Sequence, residues 1–454
     1  MNTELISKYN VAGPRYTSYP TVPYWQEEEF SLKGWKSTLL KSFKESNASE
    51  GLSIYIHLPF CESLCTFCGC NKRITKNHGV EIPYLKTLLK EWQLYCDLFK
   101  EKPVLKEVHL GGGTPTFFSA ENLSMLLEGL FHDAKKADDI VLSFEGHPNN
   151  TTFQHLETLN NLGFTRVSFG VQDYNQTVQK AIHRIQPFQN VKSATEEART
   201  AGFTSVGHDL IFGLPFQKKE HIIESIQKTK QLMPDRIAFY SYAHVPWIKG
   251  NGQRGFKEED LPSAEEKRQM YETGKRMLEE AGYVEIGMDH FALPTDDLYK
   301  AMIYGKLHRN FMGYTSSATQ LMVGLGASAI GDSWYGFGQN VKGVEEYENL
   351  VNHGKMPVNR GHILTEEDLV IRKHILNLMC GLETSWTNEK DLFPELPEVL
   401  SRLVEMENDE LISISKDSLK ILEKGRPFVR NVCMAFDLRL QRRQPNTHLF
   451  SMTV

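Results

Sequence analysis

Four of the chain's seven cysteines lie within the ten residues from Cys61 to Cys70, in the segment FCESLCTFCGC. Successive cysteines are separated by three residues, two residues and one residue. Structural zinc sites usually combine two Cys-x-x-Cys pairs, or a cysteine pair and a histidine pair, from separate segments, and no second pair follows here. Bacterial ferredoxins use other intervals and place a proline after the fourth cysteine. The spacing therefore matches neither kind of site.

A cluster held by only part of the loop accounts for the spacing better. Three thiolates from one tight loop can hold three irons of a cubane cluster and leave the fourth iron open to a small molecule, as catalytic zinc keeps one open position. Only Gly69 separates Cys68 from Cys70, so their two sulfurs cannot easily occupy two corners of a cluster that the earlier cysteines already constrain. We therefore predict Cys61, Cys65 and Cys68 as the metal ligands. Cys70 is the thiol left outside the cluster.

The composition limits the classes of protein to consider. The chain has 454 residues, 40% hydrophobic residues and a formal charge of −6, with no long basic run that would indicate nucleic-acid binding. It has no apolar stretch of about eighteen residues and no N-terminal apolar run of the signal-peptide type, so we expect no membrane association. The remaining cysteines are isolated and do not suggest a disulfide framework, which favours a reducing compartment, the cytoplasm.

Strand and helix patterns alternate along the first two thirds of the chain. Strands followed by helices predict a parallel sheet with right-handed crossovers, either an incomplete (β/α)6 barrel, which we favour, or a doubly wound open sheet. In both topologies ligands collect at the carboxyl ends of the strands. A further strand is expected at 283–291, and Ser119 is expected to cap the helix that follows the second strand. The six predicted strands are 51–59, 104–110, 140–146, 164–172, 203–213 and 235–243.

The remaining segments predict two smaller units beside the barrel. Residues 1–50 form a turn-rich N-terminal arm, and residues 51–345 hold the barrel and a substrate region. In residues 360–454, the segments 365–380 and 396–415 have helical patterns, and LISISKDSLKILEKGR has the short apolar alternation of a β-wing. We therefore expect a small, mostly helical C-terminal domain of winged-helix type.

Several segments spread over nearly the whole chain carry a resemblance to a known family. With the cysteine loop and CGCNK, they resemble the oxygen-independent coproporphyrinogen III oxidases, also called coproporphyrinogen III dehydrogenases, of the radical S-adenosylmethionine (SAM) superfamily. The combination is specific, although GGGTP or GLP alone would be weak. The segments are KYNVAGPRYTSYPT (8–21), YIHLPFC (55–61), GGGTPT (111–116), GVQDYN (170–175), DLIFGLP (209–215), MDHFALP (288–294), LHRNFMGYT (307–315) and RNVCMAFD (430–437).

The resemblance implies a radical SAM barrel that binds a 4Fe-4S cluster and two molecules of SAM. In the glycine run, absent side chains would let backbone amides approach the amino-acid end of SAM. A carboxylate at a strand end such as Glu145 can accept bonds from ribose hydroxyls, and Asp209, in an otherwise apolar strand, needs a polar partner. The implied catalytic residues are Cys70 and Phe311. The implied SAM contacts are Tyr55, Phe67, Gly112, Gly113, Thr114, Glu145, Gln172, Arg184, Asp209, Ala243 and Ile330.

For each of these positions a structural role is the alternative. Phe67, Ala243 and Ile330 also fit a hydrophobic core, and Arg184 also fits a solvated charge on a helix. Met312 departs from familiar members of the family, which have glutamine there. We interpret it as a subfamily variant.

The implied reaction converts coproporphyrinogen III to protoporphyrinogen IX in haem biosynthesis. Two propionate side chains become vinyl groups after a 5′-deoxyadenosyl radical made from SAM removes a hydrogen, and an electron donor such as flavodoxin or ferredoxin reduces the cluster. The anionic substrate needs cations, for which Arg15, Arg309, Lys72 and Arg73 are candidates. We expect a monomer. The alternatives are a radical SAM methyltransferase that degrades haem, and a non-catalytic haem-binding chaperone of the same superfamily.

Overall fold

A computed structural model of the protein describes residues 3–246, 252–444 and 449–453. At its centre six parallel strands pair in the order in which they occur along the chain. The strands consist mostly of buried residues, as expected for a parallel sheet that is covered on its faces. They are β1 (Leu52–Leu58), β2 (Val104–Gly112), β3 (Lys135–Gly146), β4 (Arg166–Gln172), β5 (Ser205–Phe212) and β6 (Arg236–Ser241).

Helices follow each of these strands, and apart from the short helix Gln176–Ala181 each packs against the next one along the chain. The order of these six strands never reverses, so the doubly wound alternative is wrong and the partial (β/α)6 barrel is confirmed. The predicted cap is also confirmed, because the Ser119 side chain accepts from the backbone nitrogen of Asn122. The helices are Glu81–Phe99, Ala120–His132, Phe153–Asn161, Gln176–Ala181, Phe188–Ala201, Lys219–Leu232 and Ala264–Glu279.

Further strands extend the sheet at both edges. Beside β6 lies a hairpin of Val284–Gly287 and His290–Ala292, which replaces the single strand predicted over 283–291. That prediction was wrong because the chain turns at Asp289, whose φ is +65°. Beside β1 lie a parallel strand and three antiparallel strands: Met322–Leu325, Ile330–Asp332, Gly336–Asn340 and Val358–Ile363.

The C-terminal part has its own hydrophobic core. Its three-stranded sheet contains the predicted β-wing, although the helix predicted over 396–415 ends at Asn408 and is followed by a strand. Helices and strands here are Glu366–Gly381, Glu383–Ser385, Leu396–Asn408, Ile412–Ile414, Ser418–Ile421, Val429–Phe436 and Leu438–Arg442. The remaining elements are helices Asp297–Ile303 and Val344–Asn352 and strands Phe60–Cys61, Arg73–Ile74, His308–Asn310 and Gly313–Thr315.

The N-terminal arm contacts both cores. Helix Thr3–Tyr9 packs into the C-terminal core, whereas helix Leu32–Ser46 packs against the large sheet through Trp35. Arg430 holds the two chain ends together by donating to the carbonyls of Pro14 and Met452, at 2.8 Å in both cases. The domain boundaries at 50, 345 and 360 stay a prediction. No helix in the described ranges is both long and apolar enough to cross a membrane.

Candidate active site at the carboxyl edge of the barrel

The cysteine loop begins where β1 ends, at the carboxyl edge of the sheet. Its first residues form the short strand Phe60–Cys61, which pairs in parallel with Arg73–Ile74. Within the loop, Thr66 donates from its backbone nitrogen to Ile182 and from its hydroxyl to the carbonyl of Ala181, at 3.1 Å in both bonds. The strand pair closes the loop on itself, and the Thr66 bonds attach it to the end of helix Gln176–Ala181 of the barrel.

All four thiols of the loop line one cavity of about 460 Å³. Thr114 donates its hydroxyl to the Cys61 sulfur at 3.3 Å, and Arg184 Nη1 lies 3.7 Å from the Cys65 sulfur. The hydrogen bond from Thr114 favours the thiolate of Cys61, which is the form that binds metal. Within the described residues no three His, Cys, Asp or Glu side chains are close enough to hold one metal ion. Thiols that converge on a cavity of this size suit a cluster, because each ligand then binds a different iron.

The thiols differ in how easily they ionise. Burial raises the pKa of Cys61 to about 11, so cluster binding there must release a proton. A hydrogen bond between the sulfurs of Cys68 and Cys70 lowers the pKa of Cys68 and raises that of Cys70. Lys72 Nζ donates to the carbonyls of both residues, at 3.1 Å and 3.3 Å. Cys68 is therefore the thiol of the pair that ionises first.

The glycine run joins β2 to the cysteine loop through its backbone amides. Gly113 donates to the carbonyl of Leu58 at 2.8 Å, and Thr114 donates to the carbonyl of Phe60 at 3.0 Å. Gly112 donates to Glu145 Oε2 at 3.3 Å. These three amides therefore have partners within the chain, and their contact with SAM stays a prediction. The amides hold β1, β2 and β3 together at the cavity.

Glycine is nevertheless required in this run for steric reasons. Gly112 has φ +112°, and a Cβ added there would lie 2.8 Å from the His57 ring. A Cβ added at Gly113 would lie 2.7 Å from the carbonyl carbon of Pro59. Any larger residue would push the cysteine loop away from β2.

Two carboxylates and an amide from three neighbouring strands meet at this cavity. Glu145 lies near the end of β3 and Asp209 in β5, where Asp209 accepts a hydrogen bond from Ser168 at 2.9 Å. Burial, with a smaller contribution from Glu145, raises the pKa of Asp209 to about 7. Gln172 ends β4 beside a register shift and has φ +68°, which turns its side chain into the cavity.

Arg184 lies in the loop after helix Gln176–Ala181, so the alternative of a solvated helix charge is wrong. It is half-buried, lines the cavity and donates through Nη2 to the carbonyl of Gly170 at 2.7 Å. Phe67 also lines this cavity. Ala243 does not, but Gln253 Nε2 donates to the carbonyls of both Ala243 and Phe67 at 3.1 Å, which places Ala243 behind the cysteine loop.

A second cavity of about 320 Å³ adjoins the first. The two cavities share Cys70, Gly112 and Glu145. Phe311 and Met312 contribute to the second cavity, and Phe311 packs edge-on against Trp25. The same cavity contains Tyr55 and Ile330, so every predicted site residue except Ala243 lines one cavity or the other.

Two of the predicted cationic residues, Arg15 and Arg309, do not line these two cavities. Arg15 pairs with Asp289 at 3.2 Å, and Arg309 is buried and donates to the carbonyls of Arg15 and Tyr16. Both arginines therefore hold the N-terminal arm. Lys72 does line the main cavity.

Sequence reasoning missed two histidines of this site. His57 accepts or donates at 3.1 Å to the Tyr55 hydroxyl, and His109 Nε2 lies 3.5 Å from Glu145 Oε1. Both line the second cavity. The available signal was alternation along the strands, because every second residue of a strand points to the same face. His57 lies two residues after Tyr55 in β1, and His109 lies two residues before Gly111 in β2.

Comparisons with known proteins agree with this geometry. The profile of the radical SAM superfamily matches residues 55–229. An oxygen-independent coproporphyrinogen III oxidase from Helicobacter pylori is 37% identical over 446 residues, which cover 96% of each chain. The relative of the same name from Escherichia coli is 36% identical over 447 residues, covering 97% of this chain and 95% of that one.

The solved structure of coproporphyrinogen III oxidase (HemN) from Escherichia coli, described as a radical SAM enzyme, has a TM-score of 0.88 and 34% identity. It covers 96% of this chain and 98% of that one. The similarity therefore includes the arm, the barrel and the C-terminal part. The predicted cofactor classes, a 4Fe-4S cluster and SAM, are those of the superfamily. The chain belongs to the oxygen-independent coproporphyrinogen III oxidase family of the radical SAM superfamily.

Proposed function

We propose that this chain catalyses the oxygen-independent oxidative decarboxylation of coproporphyrinogen III to protoporphyrinogen IX, a step of haem biosynthesis. The observation that carries the proposal is the full-length similarity to relatives named for this activity. The structure adds that the four cysteines, the glycine run and two carboxylates from different strands converge on one cavity. A barrel places its reactive groups at this edge because all the parallel strands end there.

The cofactors would be held by the residues of the two cavities. We assign Cys61, Cys65 and Cys68 as the cluster ligands. When bound, the cluster and SAM supply the 5′-deoxyadenosyl radical that removes hydrogen from a propionate side chain. The residues of the chain bind and orient the cofactors and the substrate, and they exclude water, because the cofactor carries the difficult chemistry.

Three groups of the main cavity have the chemistry to orient SAM. Asp209 and Glu145 can accept hydrogen bonds from ribose hydroxyls, and Arg184 can donate to a carboxylate. We assign the second SAM molecule to the adjoining second cavity, whose wall includes Tyr55 and Phe311. The other proposed SAM contacts are Phe67, Gly112, Gly113, Thr114, Gln172, Ala243 and Ile330. Cys70 lines both cavities, so a catalytic role for its thiol would place it between the two sites.

The proposed partners follow from the same chemistry. The substrate is coproporphyrinogen III, and a one-electron donor such as flavodoxin or ferredoxin reduces the cluster. All seven cysteines are unpaired, which suits a reducing compartment such as the cytoplasm. We propose a monomer that needs neither nucleic acid nor membrane.

Product analysis under anaerobic conditions tests the function. The reconstituted protein is supplied with SAM, a reductant and coproporphyrinogen III, and we expect protoporphyrinogen IX together with 5′-deoxyadenosine and methionine. The Cys65→Ala variant is the matched control and should form neither product. Methyl transfer to haem with ring opening would favour the methyltransferase instead. Stoichiometric haem binding without deoxyadenosine release would favour the chaperone.

A further inference from the structure

The lumen of the barrel beneath the proposed active site is unusually open and polar. Barrel interiors of this kind are normally filled by bulky branched side chains. Here the residues beside and below Glu145 and Asp209 are small. Ser168 is the register partner of Glu145, and Ala238 is that of Asp209. Two residues earlier on the same strands lie Ser143 and Gly207. They line a third cavity, of about 130 Å³. Small residues at this level leave a passage from the active site towards the amino ends of the strands.

Two arginines lie at the lower end of that passage. Arg166 is next to Ser143 in the register, and Arg236 is next to Gly207. Both line the third cavity. They sit at the first positions of β4 and β6, so their guanidinium groups lie at the amino end of the barrel.

The two arginines differ in how they are paired. Arg236 Nε donates to Asp296 at 2.7 Å, but its Nη2 is buried without a hydrogen-bond partner. Arg166 Nη1 is likewise buried without a partner among the described residues. Burial lowers the pKa of Arg166 to about 10, so it is still a cation at neutral pH. A buried cationic donor without a partner is costly and favours binding of an anion.

The carboxylates near Arg166 are already engaged. Glu107 accepts from the Thr315 hydroxyl at 2.9 Å, and Asp296 accepts from Arg236 and from the Ser205 hydroxyl. Neither forms a hydrogen bond with Arg166 in the described part of the chain. Burial also lowers the pKa of His208 to about 3 and that of His290 to about 4, so these two cavity histidines are neutral.

The third cavity adjoins the proposed active site. It shares Glu145 and Asp209 with the main cavity, and His109 and Met312 with the second cavity. The wall of the third cavity therefore extends from residues of the proposed cofactor site to the two arginines. A ligand that enters from the active site needs only a narrow arm with an anionic end to reach Arg166.

We propose that the lumen is a carboxylate-binding subsite in which Arg166, assisted by Arg236, holds one propionate of the tetrapyrrole while another propionate reacts above. This inference rests on the proposed function for its substrate. An arginine can bind a carboxylate through two parallel hydrogen bonds, which fixes orientation as well as position. Anchoring one of the substrate's arms in the lumen would set which other arm lies near the cofactors.

The test compares Arg166→Met with the parent protein, both as reconstituted full-length chains. Binding of coproporphyrin III, the fluorescent oxidised form of the substrate, is measured by fluorescence titration, which does not depend on turnover. We expect Arg166→Met to bind it roughly ten- to hundredfold more weakly, as for loss of a charged hydrogen bond. The uncharged tetraamide of coproporphyrin III should bind the variant and the parent equally. In kinetics, the KM for coproporphyrinogen III should rise while the KM for SAM is unchanged.

Two further variants separate binding from damage to the fold. Ala238→Leu keeps both arginines but fills the passage, and it should weaken coproporphyrin III binding as well. Arg276→Met, at a guanidinium that is 66% exposed on an outer helix, is the matched control and should bind like the parent. Unchanged coproporphyrin III binding by Arg166→Met would overturn the proposal. An equal loss of affinity for the tetraamide, or a change only in the KM for SAM, would overturn it as well. A parent protein that binds coproporphyrin III through Arg166 but forms no protoporphyrinogen would contradict only the proposed activity.

Discussion

Replacing Asp209 with Asn should make the protein more stable at neutral pH and at the same time impair SAM binding. Asp209 is an ionisable group in a half-buried position of the cavity wall, and it accepts only one hydrogen bond from a described side chain, that of Ser168. Burial raises its pKa from 3.8 to about 7. The folded protein therefore binds a proton more tightly at this residue than the unfolded chain does.

The sign and size of the effect follow from that shift. Because the folded pKa is the higher one, the parent loses stability as the pH rises from about 4 to about 7 and then stays at the lower value. A shift of about three units corresponds to roughly 4 kcal/mol, and hydration from the adjoining cavity reduces this to about 2–4 kcal/mol. Asn cannot ionise, so Asp209→Asn should gain this amount above pH 7 and nothing below pH 4.

The assay is urea unfolding of the cluster-free protein at several pH values, paired with equilibrium binding of SAM to the reconstituted protein. SAM should bind Asp209→Asn about tenfold or more weakly, because an amide replaces a carboxylate that accepts from ribose hydroxyls. Asp173→Asn is the matched control. Burial raises the pKa of Asp173 to about 7 as well, but Asp173 lies outside the cavity wall and its two carboxylate oxygens accept from Asn175 and Gln217, so its variant should keep its SAM affinity.

Two results would refute the reasoning. A stability difference between Asp209→Asn and the parent that does not depend on pH would mean that the carboxyl group is not destabilised by burial. Equal SAM affinity of the Asp173 and Asp209 variants would mean that Asp209 is only a structural residue.

Three further substitutions test the site and its frame. Cys65→Ala should abolish the iron and sulfide content and visible absorbance of the reconstituted protein, whereas Cys70→Ala should retain them; loss in both variants would contradict the assigned ligands. Gly112→Ala forces a side chain into φ +112° and against His57, and should lower the free energy of unfolding by roughly 2–4 kcal/mol in urea titrations. Arg430→Met removes donors to carbonyls at both chain ends and should speed proteolysis of the N-terminal arm; an unchanged cleavage rate would show that these bonds do not hold the arm.

Much of the architecture could be predicted because it depends on local patterns. The apolar runs of the six barrel strands, the helical spacing between them and the Ser119 cap all act over a few residues, and they are confirmed. The hairpin over 284–292 was missed because a left-handed turn at Asp289 interrupts a segment whose residue types fit one strand.

The same distinction between local sequence patterns and tertiary contacts applies to the candidate site. Residue types and spacing alone determined the cysteine loop, the class of cofactor and the edge of the barrel where ligands collect, because these depend on short segments and on strand direction. Only the tertiary structure decided that the amides of Gly113 and Thr114 bond to β1 and the cysteine loop, and that Arg15 and Arg309 hold the arm. The open lumen and its arginines also emerged only there, since the register of separate strands determines which side chains become neighbours.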